Sequence, residues 1–176
     1  MTLPNLITIA RLVLVPLVIV MIIDARWQAA FIIFVTAGVS DAIDGFIAKR
    51  FDMRSELGAY LDPMADKSLI VSIYITLALV GALPAWLAIL VVARDLMIVS
   101  AVILSWVMDR RVEIAPLLVS KLNTFAQLAL AALMLGSRAF GVDPGLALQL
   151  GVGLVALLTL ASMTAYLALW LRHMAA

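Results

Sequence analysis

Four aspartates, Asp41, Asp44, Asp62 and Asp66, fall within one short stretch of a chain that is mostly apolar. An ionised carboxylate at membrane depth costs at least ~2.5–3.5 kcal/mol, so four of them together require a reason. Asp41 and Asp44 are three residues apart and Asp62 and Asp66 four apart, so on helices each pair shares one face, with Gly58 one turn before Asp62. Two acidic edges can then face each other. Four carboxylates match the charge of two divalent cations, and hard oxygen donors without thiolate or imidazole favour Mg²⁺ or Mn²⁺ over zinc. The chain has no Cys, and its one His, His173, lies near the end. Such an ion pair serves phosphoryl chemistry, neutralising a pyrophosphate and stabilising attacking and leaving oxygens. Gly45 and Gly58 lack side chains and would let a bulky phosphorylated ligand approach the helix backbones. The structural alternative makes the aspartates helix ends or ion-pair partners. The nearby cations are Lys49 and Lys67, and Lys67 sits about 100° around the helix from Asp66, leaving at least two carboxylates unmatched.

The elements that must position these residues are membrane helices. Of the 176 residues 66% are hydrophobic and 13% charged, against roughly 45–50% and 25% in a soluble domain. Roughly 116 apolar residues, at about 20 per crossing, allow about six spans. The expected fold is all-α: a polytopic integral membrane protein of six transmembrane helices, residues 1–176 forming a single domain with no soluble appendage. The first run is Leu3 to Ile23, with Arg11 embedded, ending at Asp24-Ala25-Arg26. The second begins at Trp27 and carries Asp41 and Asp44 out to about Arg50. The third resumes after FDMRSE, tolerates Pro63 inside its pattern and ends at Gly81. Pro84 to Val107 makes the fourth, interrupted by Arg94-Asp95. The fifth runs from about Leu117 to Leu135 with Lys121 and Asn123 near its start, and the sixth from Gly145 to Leu171. Gly151, Gly153, Ala161 and Ala165 in the sixth are small enough for close helix packing, or for a dimer contact. No charged leader or cleavage site precedes Ile7 to Ile23, which reads as a retained span, so the mature chain is expected to begin near Met1.

Twelve Lys and Arg nearly cancel eleven Asp and Glu, and without a dense basic tract the chain has no nucleic-acid partner to expect. Position is more informative than total. Six alternating spans put Lys49, Arg50, Arg54, Arg110, Arg111 and Arg172 on one face and only Arg26 and Arg138 in the opposite loops, which assigns the former face, and the acidic motif with it, to the cytoplasm.

The stretch DAIDGFIAKRFDMRSELGAYLDPMAD resembles the signature of the CDP-alcohol phosphatidyltransferase family, D-x(2)-D-G-x(2)-A-R-x(8)-G-x(3)-D-x(3)-D, in every fixed position but one. The exception is Lys49, where the family has Arg. Lys49 keeps the charge but loses the planar fork for a phosphate or nucleotide oxygen, which Arg50 could partly supply. The resemblance implies that Asp41, Asp44, Asp62 and Asp66 ligate metal, that Asp66 is also the general base, and that Gly45, Ala48, Lys49 and Gly58 line the CDP pocket. It implies two divalent cations as cofactors, a homodimer, and attack by an alcohol hydroxyl on the lipid-bearing phosphorus of CDP-diacylglycerol with release of CMP.

Within the family, LPNLITIAR, LDPMADK, ARD at Ala93 to Asp95 and VSKLNTFAQL from Val119 resemble the eukaryotic-type cardiolipin synthases, which use phosphatidylglycerol as acceptor. The neighbouring phosphatidylglycerophosphate synthases use glycerol 3-phosphate and tend to read A-R-E and K-x-K-T where this chain has Asp95 and Asn123. A dianionic phosphomonoester profits from a second lysine; a phosphodiester carries one charge and needs less. The candidate acceptor-binding residues are Arg94, Lys121, Arg110 and Arg111. Each has a structural alternative: an ion pair with another helix for Arg94, snorkelling for Lys121, the positive-inside signal for Arg110 and Arg111. Arg11, inside the first run, is expected to pair or to touch substrate. A cation transporter is the alternative of another class, since intramembrane aspartates also mark ion paths. Transporters usually show related halves, whereas the four aspartates here have no counterpart in the second half. A purely structural scaffold gives no reason for the cost of the carboxylates.

Overall fold

The computed structural model describes the backbone of residues 3–50, 56–108 and 117–175, and the side chains of 12–40, 67–105, 107–108 and 117–174. Its described elements are six helices: α1 (Leu3–Ile23), α2 (Trp27–Arg50), α3 (Glu56–Leu79), α4 (Ala85–Val107), α5 (Leu118–Phe140) and α6 (Gly145–Ala175). The bounds of α1 and α2 are those expected from the sequence. α5 runs five residues past Leu135 and α6 four past Leu171, so Arg138, Arg172 and His173 lie within helices. Position 63 is inside α3, as expected.

Three of the helices are long and apolar enough to cross a membrane: Ala85–Ser105, Leu118–Phe140 and Gly145–Met174. The described parts of α1, α2 and α3 contribute shorter apolar stretches, Leu12–Ile23, Trp27–Ser40 and Lys67–Leu79. Exposed apolar side chains recur along single faces. On α4 they are Ile89, Leu96 and Ile103, seven apart; on α6 they are Leu150, Leu154 and Leu157. Such stripes suit lipid contact and would be a liability in water.

The chain divides into two compact units, residues 1–83 with 131–144, and residues 84–130 with 145–176. In the first, α1 packs against both α2 and α3. Val18, Ile22, Ala30, Ala37, Ile73 and Leu77 are completely or almost completely buried there. The end of α5 joins this unit through rings and a close approach: Phe31 and Phe140 meet edge to face at 5.6 Å, and a Cβ on Gly136 would stand 3.3 Å from Phe31 Cε2. In the second unit α4 packs against α6. Gly151 admits Leu130, whose Cδ1 lies 2.9 Å from where a Cβ would be, while Gly153 faces open space. Of the four small residues expected to permit close packing, Gly151 therefore does so within one chain.

Three helices stop by the same device. Arg26 N–H bonds the Met21 carbonyl and Ala25 N–H that of Ile22; Ala82 N–H bonds Leu77 and Gly81 N–H bonds Ala78; Val142 N–H bonds Ser137. The residue that turns the chain has positive φ each time, 56° at Ala25, 72° at Gly81 and 65° at Gly141. This is the helix cap in which the last carbonyls are satisfied by amides past a left-handed residue. Glycine takes that conformation freely, whereas alanine carries the clash of its Cβ. Nothing lies within 4 Å of a Cβ at Gly81, so strain alone decides. Gly81→Ala is expected to lower unfolding stability by about 1–2 kcal/mol, and Ala25→Gly to raise it by up to about 1 kcal/mol. Equilibrium unfolding of both variants in detergent checks the opposite signs.

Candidate functional site

The acidic motif is carried by two helices joined by a short link. Asp44 lies six residues before the end of α2 and Asp62 six after the start of α3; Asp41 and Asp66 lie nine and ten residues from the same ends. At 1.5 Å per residue both pairs sit at matched depths along their helices, about 9 Å for the inner-loop pair and about 14–15 Å for the deeper one. α1 packs against both helices. The side chains of Arg11, Asp41, Asp44, Gly45, Ala48, Lys49, Gly58, Asp62 and Asp66, and the whole of Arg110 and Arg111, lie outside the described residues. No cluster of three metal-ligating side chains occurs among the described residues. The donor set of the motif, four carboxylates with neither thiolate nor imidazole, suits a hard divalent cation.

In the second unit the described residues assemble a polar core around Arg94, which is only 4% exposed on α4. Its Nη1 donates to Asp95 Oδ1 at 2.6 Å, and its Nε and Nη2 donate to Ser162 Oγ on α6 at 3.1 and 2.9 Å. Nη2 also donates to Ser120 Oγ on α5. Tyr166 lays its ring 5.8 Å from the guanidinium carbon, and its hydroxyl accepts from the Leu117 N–H at 3.4 Å. One guanidinium thus ties three helices, which its planar fork of five donors allows and a lysine ammonium would not. The ion pair expected for Arg94 is present, but with Asp95 of its own helix; the other helices supply hydroxyls.

One turn deeper, fully buried Asn123 accepts from Thr159 Oγ1 at 3.0 Å, and that hydroxyl also donates to the Val155 carbonyl. Asn123 Nδ2 is buried without a partner among the described residues. Farther along, Trp170 Nε1 donates to Ser105 Oγ at 2.9 Å. Lys121, beside Ser120, is exposed and forms no ion pair among the described residues. Sequence reasoning singled out Arg94, Asp95 and Asn123 and missed Ser120, Thr159, Ser162 and Tyr166. Their signal was spacing: Ser120, Asn123 and Gln127 recur at three and four residues on α5, as do Thr159, Ser162 and Tyr166 on α6, giving each apolar helix one polar stripe.

Comparison with known proteins bears on the motif and this core together. The CDP-alcohol phosphatidyltransferase family model matches residues 1–173. The chain belongs to this family. Within it, the chain is 32% identical over 183 residues to a cardiolipin synthase (CMP-forming) of Homo sapiens, covering 94% of this chain and 60% of the relative. It is 35% identical over 182 residues to a cardiolipin synthase (CMP-forming) / mitochondrial hydrolase fusion protein of Schizosaccharomyces pombe, covering 94% of this chain and 30% of the relative. A probable phosphatidylglycerophosphate synthase of Mycobacterium tuberculosis is 37% identical over 131 residues, covering 71% of this chain and 61% of the relative. The chain therefore spans between about a third and three fifths of the length of these family members.

The polar core makes a stability claim. Removing the buried guanidinium in Arg94→Ala takes the ion-pair partner from half-buried Asp95 and the donor from two serine hydroxyls, and is expected to cost about 3–5 kcal/mol. Thr159→Val removes the hydroxyl hydrogen that Asn123 Oδ1 and the Val155 carbonyl share and is expected to cost about 1–3 kcal/mol. Unfolding midpoints of the two variants in detergent give the order.

Proposed function

We propose that this chain is a multi-pass membrane enzyme of phospholipid biosynthesis that transfers a phosphatidyl group from CDP-diacylglycerol to an alcohol and releases CMP. The observation that carries the reading is the spacing of Asp41 with Asp44 on α2 and of Asp62 with Asp66 on α3, each pair on one helix face, in a chain that belongs to the CDP-alcohol phosphatidyltransferase family. All six helices are taken as spans and residues 1–176 as one catalytic domain. The basic residues of the 49–56 and 108–116 links turn the acidic end toward the cytoplasm.

Asp41, Asp44, Asp62 and Asp66 would hold divalent cations, Mg²⁺ or Mn²⁺ and two in number. When bound, these ions supply charge neutralisation of the pyrophosphate and stabilisation of the oxygen leaving with CMP. Gly45, Ala48 and Gly58 leave the α2 and α3 backbones open to the nucleotide, and Lys49 with Arg50 meets its phosphate charge. Asp66 accepts the proton of the acceptor hydroxyl as that oxygen bonds to the lipid-bearing phosphorus; the bond from this phosphorus to the CMP oxygen breaks, and CMP departs as the anion. Arg94 acts as a positioning residue: it fixes Ser120 and Ser162 and hence the start of α5, where Lys121 stands exposed. Lys121, with Arg110 and Arg111, would draw the acceptor's phosphate to the cytoplasmic edge.

The acceptor we favour is phosphatidylglycerol, giving cardiolipin. The support is Asp95 and Asn123 at the two positions that separate the cardiolipin synthases from the glycerol 3-phosphate enzymes, together with the similarity to cardiolipin synthases over 94% of the chain. Glycerol 3-phosphate is the second reading, favoured by the 37% identity to a probable phosphatidylglycerophosphate synthase.

Asp66→Asn is nearly isosteric and removes both the base and one metal charge, so turnover is expected to fall by at least about a thousandfold with the unfolding midpoint unchanged. Chelation by EDTA is expected to stop CMP release and added Mg²⁺ or Mn²⁺ to restore it; undiminished release from metal-free protein would reject the proposed chemistry. Purified protein given CDP-diacylglycerol and a panel of alcohols is expected to yield cardiolipin with phosphatidylglycerol, read by mass spectrometry. Product only with glycerol 3-phosphate would move the assignment to the second reading.

A further inference from the structure

The first unit contains a cleft unrelated to the acidic motif. It has a volume of about 420 Å³ and lies where the α1–α2 turn meets the last turn of α5, lined by Arg26, Trp27, Gln28 and Arg138 among small alanines. That volume is within the range of small-ligand sites. Trp27 is the first residue of α2 and Asp41 lies fourteen residues on, a helical distance of about 21 Å.

We propose that this cleft binds the anionic phosphate headgroup of a membrane lipid in the leaflet opposite the acidic motif. Two guanidiniums share one concavity with no acidic lining residue, and neither arginine forms an ion pair among the described residues. Like charges held together favour an anion between them, and arginine meets phosphate oxygens with a planar pair of donors. Arg138 stands 5.6 Å above the Trp27 ring. Stacking on the indole face leaves the in-plane N–H groups directed outward, so the ring orients the guanidinium without consuming its donors. Arg138 belongs to the last turn of α5, whose length and composition suit a membrane crossing. The cleft thus stands at the level of lipid headgroups, where tryptophan is also favoured.

The position of these two cations adds to the case. In the orientation proposed above, Arg26 in the α1–α2 turn and Arg138 in the last turn of α5 stand on the side that the positive-inside rule leaves poor in basic residues. An anionic ligand gives them a role there. The inference uses that orientation but not the proposed chemistry. Its test has no turnover step, so a catalytically dead protein could still pass and an active one fail.

The test is native mass spectrometry of the intact detergent-solubilised protein, kept in EDTA, titrated with phosphatidic acid or with phosphatidylcholine of the same acyl chains. Wild type is expected to bind one phosphatidic acid more tightly than phosphatidylcholine. The double variant Arg26→Gln, Arg138→Gln is expected to weaken phosphatidic acid at least about fivefold with phosphatidylcholine unchanged. Arg26→Lys, Arg138→Lys, which keeps the charge, is expected to recover part of the loss. Both arginines are exposed, and an unchanged unfolding midpoint shows that the fold is retained; should the double variant unfold, the two single Gln variants are read instead, each expected to show part of the loss. Equal affinity for phosphatidic acid in wild type and the Gln variants would overturn the proposal. So would binding of inorganic phosphate as tight as that of phosphatidic acid, because the free ion would then be the ligand.

Discussion

A charge carried into an apolar helix must be met there by opposite charge or by hydrogen-bond donors and acceptors, and this constraint shapes the whole chain. Arg94 meets it with protein groups: a carboxylate next to it on α4, a serine on α5, another on α6 and the face of a tyrosine. The result is structural, since the guanidinium defines how three helices of one unit align. The four aspartates of α2 and α3 share their sequence neighbourhood with Lys49, Arg50, Arg54 and Lys67, of which Lys67 lies about 100° around the helix from Asp66. In the function proposed above, divalent cations and a nucleotide pyrophosphate would meet these carboxylates.

The same contrast separates the two ends of the first unit. At one end, acidic residues on α2 and α3 accumulate negative charge; at the other, Arg26 and Arg138 accumulate positive charge around Trp27. α2 connects the two, beginning in the basic cleft and ending past the acidic motif.

Much of this was legible in the sequence because the chemistry is written as spacing. The i,i+3 and i,i+4 aspartates, the glycines beside them and the lengths of the apolar runs identify two helices and a motif, and the ends of α1 and α2 follow from the charges that bound them. Where the reading stopped short, packing had the decisive part. Gly136, Ser137 and Arg138 look like the start of a loop, but Gly136 accommodates the Phe31 ring and Ser137 folds its hydroxyl onto the Met134 carbonyl, so α5 continues to the left-handed turn at Gly141. Serines and threonines in α5 and α6 pass for tolerated polar residues until Arg94 and Asn123 are seen to need them. Which helix an arginine will engage is set by three-dimensional proximity, so the choice of Asp95 over a distant acid was not available from one dimension.

The central claim is that carboxylates from two helices converge on shared divalent ions, and Mn²⁺ binding followed by electron paramagnetic resonance tests it most directly. Wild-type protein is expected to take up about two Mn²⁺ per chain, displaced by Mg²⁺, and a variant with one acid removed from each helix, Asp44→Asn with Asp62→Asn, is expected to bind none tightly. Uptake that is absent in the wild type, or unchanged in the double variant, would contradict the account.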